Sequence, residues 1–311
     1  MLGSVAPKAE VQVVSIAQDD DRIEGSRIER VVLEVEPGIL VPLILLHPRE
    51  RTAAPHDRRT PVVVAVAQAG KSGFLGRRAG LIARLLAGGV SVCLPDLRGL
   101  GETKPEGSRE RWGALTAQAS TALMLGDPLV AARLRDLRGV LAYLRGHENL
   151  DTNRIALWGD SFAAPNPPGR NFRVPRNVDD RPRWSEPLGG LLALLGALYE
   201  DEVRAVYVRG GLSAFASVVR DPFVYLPPDV VIPGLLTAGD LPDLAAALAP
   251  NPLRMDELVG GFNRLEPADR VHAIYRSAQE AYARAGAPGR MILYDVSTSP
   301  ADWLLQQLAV R

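Results

Sequence analysis

With a single cysteine, Cys93, the chain can hold neither an intrachain disulfide framework nor a paired-cysteine metal site. Cys93 lies inside the apolar run from Val90 to Leu94 and reads as a buried, inert thiol. Net charge is missing too, because Lys and Arg total 36 and Asp and Glu total 36. Nucleic-acid binders carry a basic excess or stripe, so that class of partner finds no support. Long hydrophobic runs are absent. The longest, Pro187 to Tyr199, is about two-thirds of the roughly 20 residues that span a bilayer, so it reads as a buried helix rather than a membrane segment. The N-terminus lacks a basic stretch followed by an apolar one, so no signal peptide is read, although export with a removed signal is compatible with the sequence. Neither motif nor composition calls for a metal or an organic cofactor, and nothing in the sequence speaks to oligomeric state.

What remains is a globular composition: 47% hydrophobic and 23% charged, with a mean hydropathy of +0.01. Short β-branched runs alternate with longer stretches of helical periodicity. The runs at Val11 to Ile16, Ile28 to Leu46 (broken by Pro37-Gly38 as a hairpin), Pro61 to Ala67, Val90 to Leu94, Arg154 to Trp158, Val203 to Arg209, Pro252 to Val259 and Arg290 to Val296 predict strands. Helices are predicted over Gly73 to Gly89, Asp127 to Arg145 (Asp127 as N-cap, Pro128 at the first position), Leu241 to Leu248 (capped by Asp240), Pro267 to Ala285 and Ala301 to Val310. This order implies an α/β fold in three layers, with a mostly parallel central sheet and helices on both faces. No repeat or linker divides the chain, so residues 1–311 are expected to form a single domain. The segment 164–186 interrupts the alternation. It contains Pro165, Pro167, Pro168, Pro175 and Pro182 with Arg170, Arg173, Arg176, Arg181 and Arg183, too many prolines for a regular helix and enough arginine to attract a carboxylate-bearing substrate.

The strand Arg154 to Trp158 runs into Gly159-Asp160-Ser161-Phe162-Ala163. In a nucleophile elbow a serine sits on a sharp strand-to-helix turn, and small residues two before and two after it let the neighbouring backbone pass. Gly159 and Ala163 meet that need, making Ser161 the candidate nucleophile, expected in a strained backbone conformation with the Phe162 N–H directed into a cavity. With the stretches 62–71 (VVVAVAQAGK), 95–102 (PDLRGLGE), 155–162 (IALWGDSF) and 241–250 (LPDLAAALAP), the chain resembles the α/β-hydrolase superfamily, and within it the bacterial acetyl-xylan-esterase-like and dienelactone-hydrolase-like esterases. The resemblance implies a serine carboxylesterase working through an acyl-enzyme on Ser161, with Phe162 and the loop at Gln68 and Ala69 supplying oxyanion-hole N–H groups. It implies a small-molecule or carbohydrate ester as substrate, for instance an acetylated sugar.

The remaining triad positions depart from that pattern. After Pro252 to Val259 the turn reads 260–267 (GGFNRLEP), with Asn263 or Gly260 where an acid is expected and Asp256 and Glu257 just before it. No histidine follows Val296. Of the four histidines, His47, His56 and His147 belong at the end of the sheet opposite the strand C-termini, which leaves His272 as the candidate base. Two readings stay open: an esterase on Ser161, or a catalytically degenerate hydrolase-fold domain serving as a binding or interaction module.

Overall fold

Six consecutive residues, Val62 to Ala67, are all buried, and their side chains divide by parity: Val62, Val64 and Val66 enter one core, Val63, Ala65 and Ala67 another. A strand covered on both faces produces this pattern, since successive side chains point to opposite sides of the sheet. In the computed structural model, which describes residues 2–19, 26–48, 59–105, 113–174, 178–295 and 297–309, that strand lies near the middle of a nine-stranded sheet.

In chain order the strands are β1 (Gln12–Asp19), β2 (Ser26–Glu36), β3 (Ile39–Pro48), β4 (Thr60–Ala67), β5 (Ser91–Pro95), β6 (Leu150–Asp160), β7 (Val203–Arg209), β8 (Leu253–Asp256) and β9 (Met291–Leu293). Their spatial order is β1-β2-β3-β5-β4-β6-β7-β8-β9. The first three pair antiparallel and β3 pairs antiparallel with β5, while every pair from β5 to β9 is parallel. The helices are α1 (Gly70–Arg77), α2 (Ala79–Ala87), α3 (Ala114–Met124), α4 (Leu129–Arg145), α5 (Leu188–Tyr199), α6 (Phe215–Arg220), α7 (Leu235–Ala238), α8 (Leu241–Ala247), α9 (Ala268–Ile274), α10 (Arg276–Arg284) and α11 (Pro300–Leu308). Side chains from α4, α5, α8 and α10 fill one core, and those from α1, α2 and α11 fill the other, giving three layers. No single helix among the described residues is long and apolar enough to cross a membrane.

Several predicted elements change on folding. The helix expected over Gly73 to Gly89 is two helices, broken where Arg78 (φ −126°, ψ 14°) leaves helical geometry. Asp127 does not cap α4. Pro128 holds the cap position, and the Asp127 carboxylate accepts from Arg135 Nη1 and Nη2 at 3.0 and 2.8 Å. The helix expected over Pro267 to Ala285 breaks at Tyr275, and of the strand expected over Pro252 to Val259 only Leu253–Asp256 forms a continuous strand, with Val259 reduced to isolated bridges to Leu212 and Leu265. Asp240 does more than expected. It accepts from its own Leu241 N–H at 2.7 Å and from Phe215 and Ala216 at 2.7 and 2.9 Å, so one carboxylate serves the starts of α8 and α6.

The decisive packing is that of α5 on β6. An ideal Cβ on Gly159 would stand 2.2 Å from Gly189 O, and one on Gly189 would stand 2.4 Å from Val66 O and 2.6 Å from Asp160 O. Backbone meets backbone here, and no rotamer change can relieve an added methyl. Gly189→Ala is therefore expected to destabilise the fold by about 1–3 kcal/mol, the cost of overpacking a filled core. Gly169→Ala, where the new Cβ meets nothing within 4 Å, serves as control. Chemical denaturation of both variants checks this, and equal midpoints would show that the helix can step back from the strand.

Candidate active site

The strand order changes direction at β4. The connection through α1 and α2 places β5 on one side of it, and the connection through α4 places β6 on the other. Crevices at the carboxyl ends of strands that diverge in this way are where open α/β sheets bind ligands. Ala67 and Asp160 are register partners at those ends, so the next residues, Gln68 and Ser161, leave the sheet side by side. Gln68, Ala69, Ser161 and Phe162 are thus brought to one edge of the sheet.

Ser161 is half-buried, and its hydroxyl has no hydrogen-bond partner among the described residues. Its side chain rests against Gly210, just past β7, where a Cβ would meet Ser161 Cβ at 2.7 Å and Oγ at 3.3 Å. The adjoining Asp160 is fully buried on the α1 side. Arg78 Nε and Nη2 donate to its two oxygens at 2.8 and 3.0 Å, and the Ser161 N–H donates to Oδ1 at 2.8 Å. Burial raises the Asp160 pKa above the ordinary carboxylate value, and Arg78 works against that rise. Asp160 is therefore a structural acid that holds the end of β6.

The expected strained elbow is not formed. Outside glycine, positive φ values among the described residues occur at Glu257, Asn263 and Tyr294, and not at Ser161. The chain does not turn from Ser161 straight into a helix. It leaves the sheet and returns 27 residues later as α5. The small residue that lets the helix approach the strand is Gly189, not Ala163, so the elbow is split between Gly159-Asp160-Ser161 and Leu188-Gly189. The Phe162 N–H does not point into an open cavity, because it donates to Glu186 Oε2 at 3.1 Å. The Phe162 ring packs edge-on to Phe74 on α1 and lies under the guanidinium groups of Arg77 and Arg78 at 5.1 and 4.9 Å. Gln68 is drawn inward. Its Nε2 donates to Asp229 Oδ1 at 3.3 Å and its Oε1 accepts from the Leu188 N–H at 3.5 Å, so its side chain ties the start of α5 to the buried Asp229–Arg133 pair. Ala69 stands at the cap position of α1.

The inserted segment is stitched to the 260–266 turn. Asn166 Nδ2 donates to Arg183 O and Phe262 O, both at 2.9 Å, and Asn263 Nδ2 donates to Ala164 O at 3.1 Å. Phe172 stacks on Phe262 with centroids 4.4 Å apart, and Arg264 lies over Phe172 at 4.6 Å. Arg170 pairs with Asp180, while Pro175 and Arg176 lie outside the described residues. Asn263, at the position where an acid was expected, is thus a buried tie between loops. Asp256 and Glu257 are engaged by arginines: Arg254 donates to Asp256 Oδ2 at 2.8 Å, and Arg209 holds Glu257 through two contacts of 2.9 and 2.7 Å. His272 is exposed on α9, with Nδ1 3.2 Å from Gln279 Nε2, and the structure does not bring it to Ser161. Beneath α5 lies a cavity of about 10 Å³ lined by Leu191, Leu194, Val208, Leu212, Met255 and neighbouring residues, room for about one water and far too small for an ester.

Sequence reasoning missed Glu186, Gly189, Gly210 and Arg78. The pair Gly189-Gly190 at the head of the most apolar helix was the available signal for a close strand-to-helix contact.

No family model matches the chain, and comparison with curated proteins gives no match. Solved structures do match. A candidate acetyl xylan esterase from Bacteroides fragilis superposes with a TM-score of 0.66 at 17% identity, over 95% of this chain and 72% of the other. A methylesterase gives 0.57 at 16% identity, over 98% of this chain and 58% of the other. A glucuronoyl esterase from Solibacter usitatus gives 0.54 at 14% identity, over 97% and 85%. The chain shares with these esterases a three-layer α/β fold, a mixed sheet with helices on both sides.

The Asp160–Arg78 pair yields a test. Arg78→Met leaves a carboxylate with no exposed surface unpaired, which is expected to cost about 3 kcal/mol. With the arginine gone, burial raises the folded-state pKa of Asp160 further above its unfolded value. The loss is then full at neutral pH, where the acid must ionise, and shrinks as pH falls through that raised value. Denaturation at pH 5 and pH 8 measures both effects, and an equal loss at the two pH values would contradict this account.

Proposed function

We propose that the chain is a carboxylic ester hydrolase domain acting on a carbohydrate or other small ester, with Ser161 as its nucleophile in a site that works slowly. The observation supporting this reading is the Ser161 hydroxyl itself, without a hydrogen-bond partner among the described residues at the carboxyl edge of a central strand, with a backbone N–H at the next residue. Solved esterases share the scaffold, and the substrate class is taken from them. A serine without a base is a poor nucleophile, and hydrolases stripped of triad members keep only about 10³–10⁴-fold acceleration over water. Turnover at that residual level is the expectation. For Phe162 N–H to stabilise an oxyanion, the Glu186 carboxylate must first move off it, since a donor already held by a carboxylate adds nothing to the transition state.

One observation favours a second reading. Glu186 places a negative oxygen on that N–H where the developing oxyanion would sit, and in a degenerate domain such a contact simply closes the site. The domain would then serve as a binding or interaction module.

Hydrolysis of p-nitrophenyl acetate separates the two. The esterase reading expects weak turnover that Ser161→Ala abolishes, that His272→Ala leaves unchanged and that Glu186→Ala raises several-fold by freeing the donor. The degenerate reading expects background rates indifferent to all three substitutions. Turnover above background that survives Ser161→Ala would sink both.

A further inference from the structure

At the end of the sheet opposite Ser161, three residues distant in sequence meet: Glu29 on β2, His47 near the end of β3 and His147 in the turn between α4 and β6. One donor atom from each lies within 4.8 Å of the others. Antiparallel pairing of Arg27 with His47 and of Glu29 with Leu45 puts Glu29 and His47 on the same face of the sheet. The two imidazoles stack with centroids 5.4 Å apart and an interplanar angle of 27°. His147 Nε2 stands 3.3 Å from Glu29 Oε1, and His47 Nε2 stands 3.9 Å from Glu29 Oε2.

A hydrogen bond between Glu29 and His147 accounts for only part of this. His47 is 4% exposed, and its Nε2 is buried without a hydrogen-bond partner among the described residues while it faces the carboxylate. Buried ring nitrogens are ordinarily satisfied, and one left over inside a cluster of ligand-type groups calls for a missing partner.

We propose that Glu29, His47 and His147 form a binding site for one divalent transition-metal ion of the zinc class. Two imidazole nitrogens and one carboxylate oxygen are a donor set that zinc accepts, with bonds of about 2.0–2.2 Å and hence about 3.4 Å between neighbouring ligand atoms. Measured to the same oxygen, Glu29 Oε2, His147 Nε2 stands at 3.5 Å and His47 Nε2 at 3.9 Å, and since all three donor atoms lie within 4.8 Å of one another, side-chain rotation has to close no separation by more than about 1.4 Å. The surrounding shell is in place. Tyr143 OH donates to Glu29 Oε1 at 2.9 Å, and His47 Nδ1 lies 3.2 Å from Ser91 Oγ, itself 2.6 Å from Thr60 Oγ1. Metal binding requires the His147 proton on Nδ1 instead of Nε2, which gives up the 3.3 Å contact from the Asn149 N–H. The charge of Arg27 opposes a cation here and favours an ion that bonds strongly to imidazole nitrogen over Ca²⁺ or Mg²⁺, which need oxygen-rich shells. The ion would tie β2, β3 and the turn before β6 together, far from the ester chemistry and independent of it.

The test uses untagged full-length protein stripped with a chelator and titrated with Zn²⁺ or Co²⁺. One zinc per chain is expected, together with the visible absorption of a low-coordinate cobalt complex and a melting temperature raised by a few degrees at saturation. His47→Gln, His147→Gln and Glu29→Gln, each checked for folding by circular dichroism, should lose at least a hundredfold in affinity, and His272→Gln should lose none. Wild-type protein that takes up no zinc at micromolar concentration would overturn the proposal. So would uptake that the doubly substituted His47→Gln/His147→Gln chain retains. Where a variant fails to fold, the stoichiometry and cobalt spectrum of the wild-type chain still decide the matter, since a spectrum of hexaaqua type would mean no inner-sphere site.

Discussion

Everything at the carboxyl edge of the sheet depends on how closely α5 can lie on β6. Gly159 and Gly189 let the two backbones touch, and Gly190 does the same against Val208, whose Cγ1 would stand 2.6 Å from an added Cβ. That approach fixes where α5 begins, and so where Glu186 stands one residue before its cap. It also orders the side chains around it. Gln68 reaches the Leu188 N–H, Asp229 holds Gln68, and Arg133 holds Asp229, a buried polar chain that joins α4 to the start of α5. Such a chain is tolerable in a core because its members are paired. Removing one would leave its neighbour unsatisfied in a medium that cannot solvate it.

The same contact explains why the serine site looks as it does. In an uninterrupted elbow, the residue that ends the strand is also the one that starts the helix, and the tight turn between them sets the backbone at the nucleophile. Here the two halves of the elbow are separated by residues 162–187, so the strand ends at Ser161 without a positive φ. The helix brings its own flanking residues, Glu186 and Pro187, to the crevice. A carboxylate on the Phe162 N–H follows from this arrangement. It satisfies a backbone donor that a regular helix start would have left facing the crevice. The loops that would carry an acid and a base are likewise committed to structure. Arg209 and Arg254 neutralise Glu257 and Asp256, and Arg254 also reaches the carbonyls of Asp295 and Thr298 after β9.

The two ends of the sheet thus differ in character. At the carboxyl edge, Asp160, Asp256 and Glu257 are paired with arginines, and the Ser161 hydroxyl has no partner among the described residues. At the opposite end, Tyr143, Glu29 and two imidazoles gather where the His47 ring nitrogen has no partner among the described residues. Sequence patterns could not expose that cluster. Its members come from a hairpin strand, the next strand and a turn about a hundred residues later, without the short ligand spacing by which metal motifs are recognised.

The sequence by itself determined the layers and most of the strands. The continuous apolar run of β4, the hairpin at Pro37-Gly38 and the apolar α5 are local patterns that any compact fold of this chain must respect. It also determined that Ser161 follows a central strand, and that proline keeps the next segment out of a regular helix. Only the tertiary structure decided which small residue completes the elbow, which donor Glu186 covers, that Asn263 is a tie rather than an acid, and that His272 faces Gln279. All but the His272–Gln279 contact join residues tens of positions apart. Their distances depend on how strands and helices are stacked, a property of the whole packing that no local run of residues encodes.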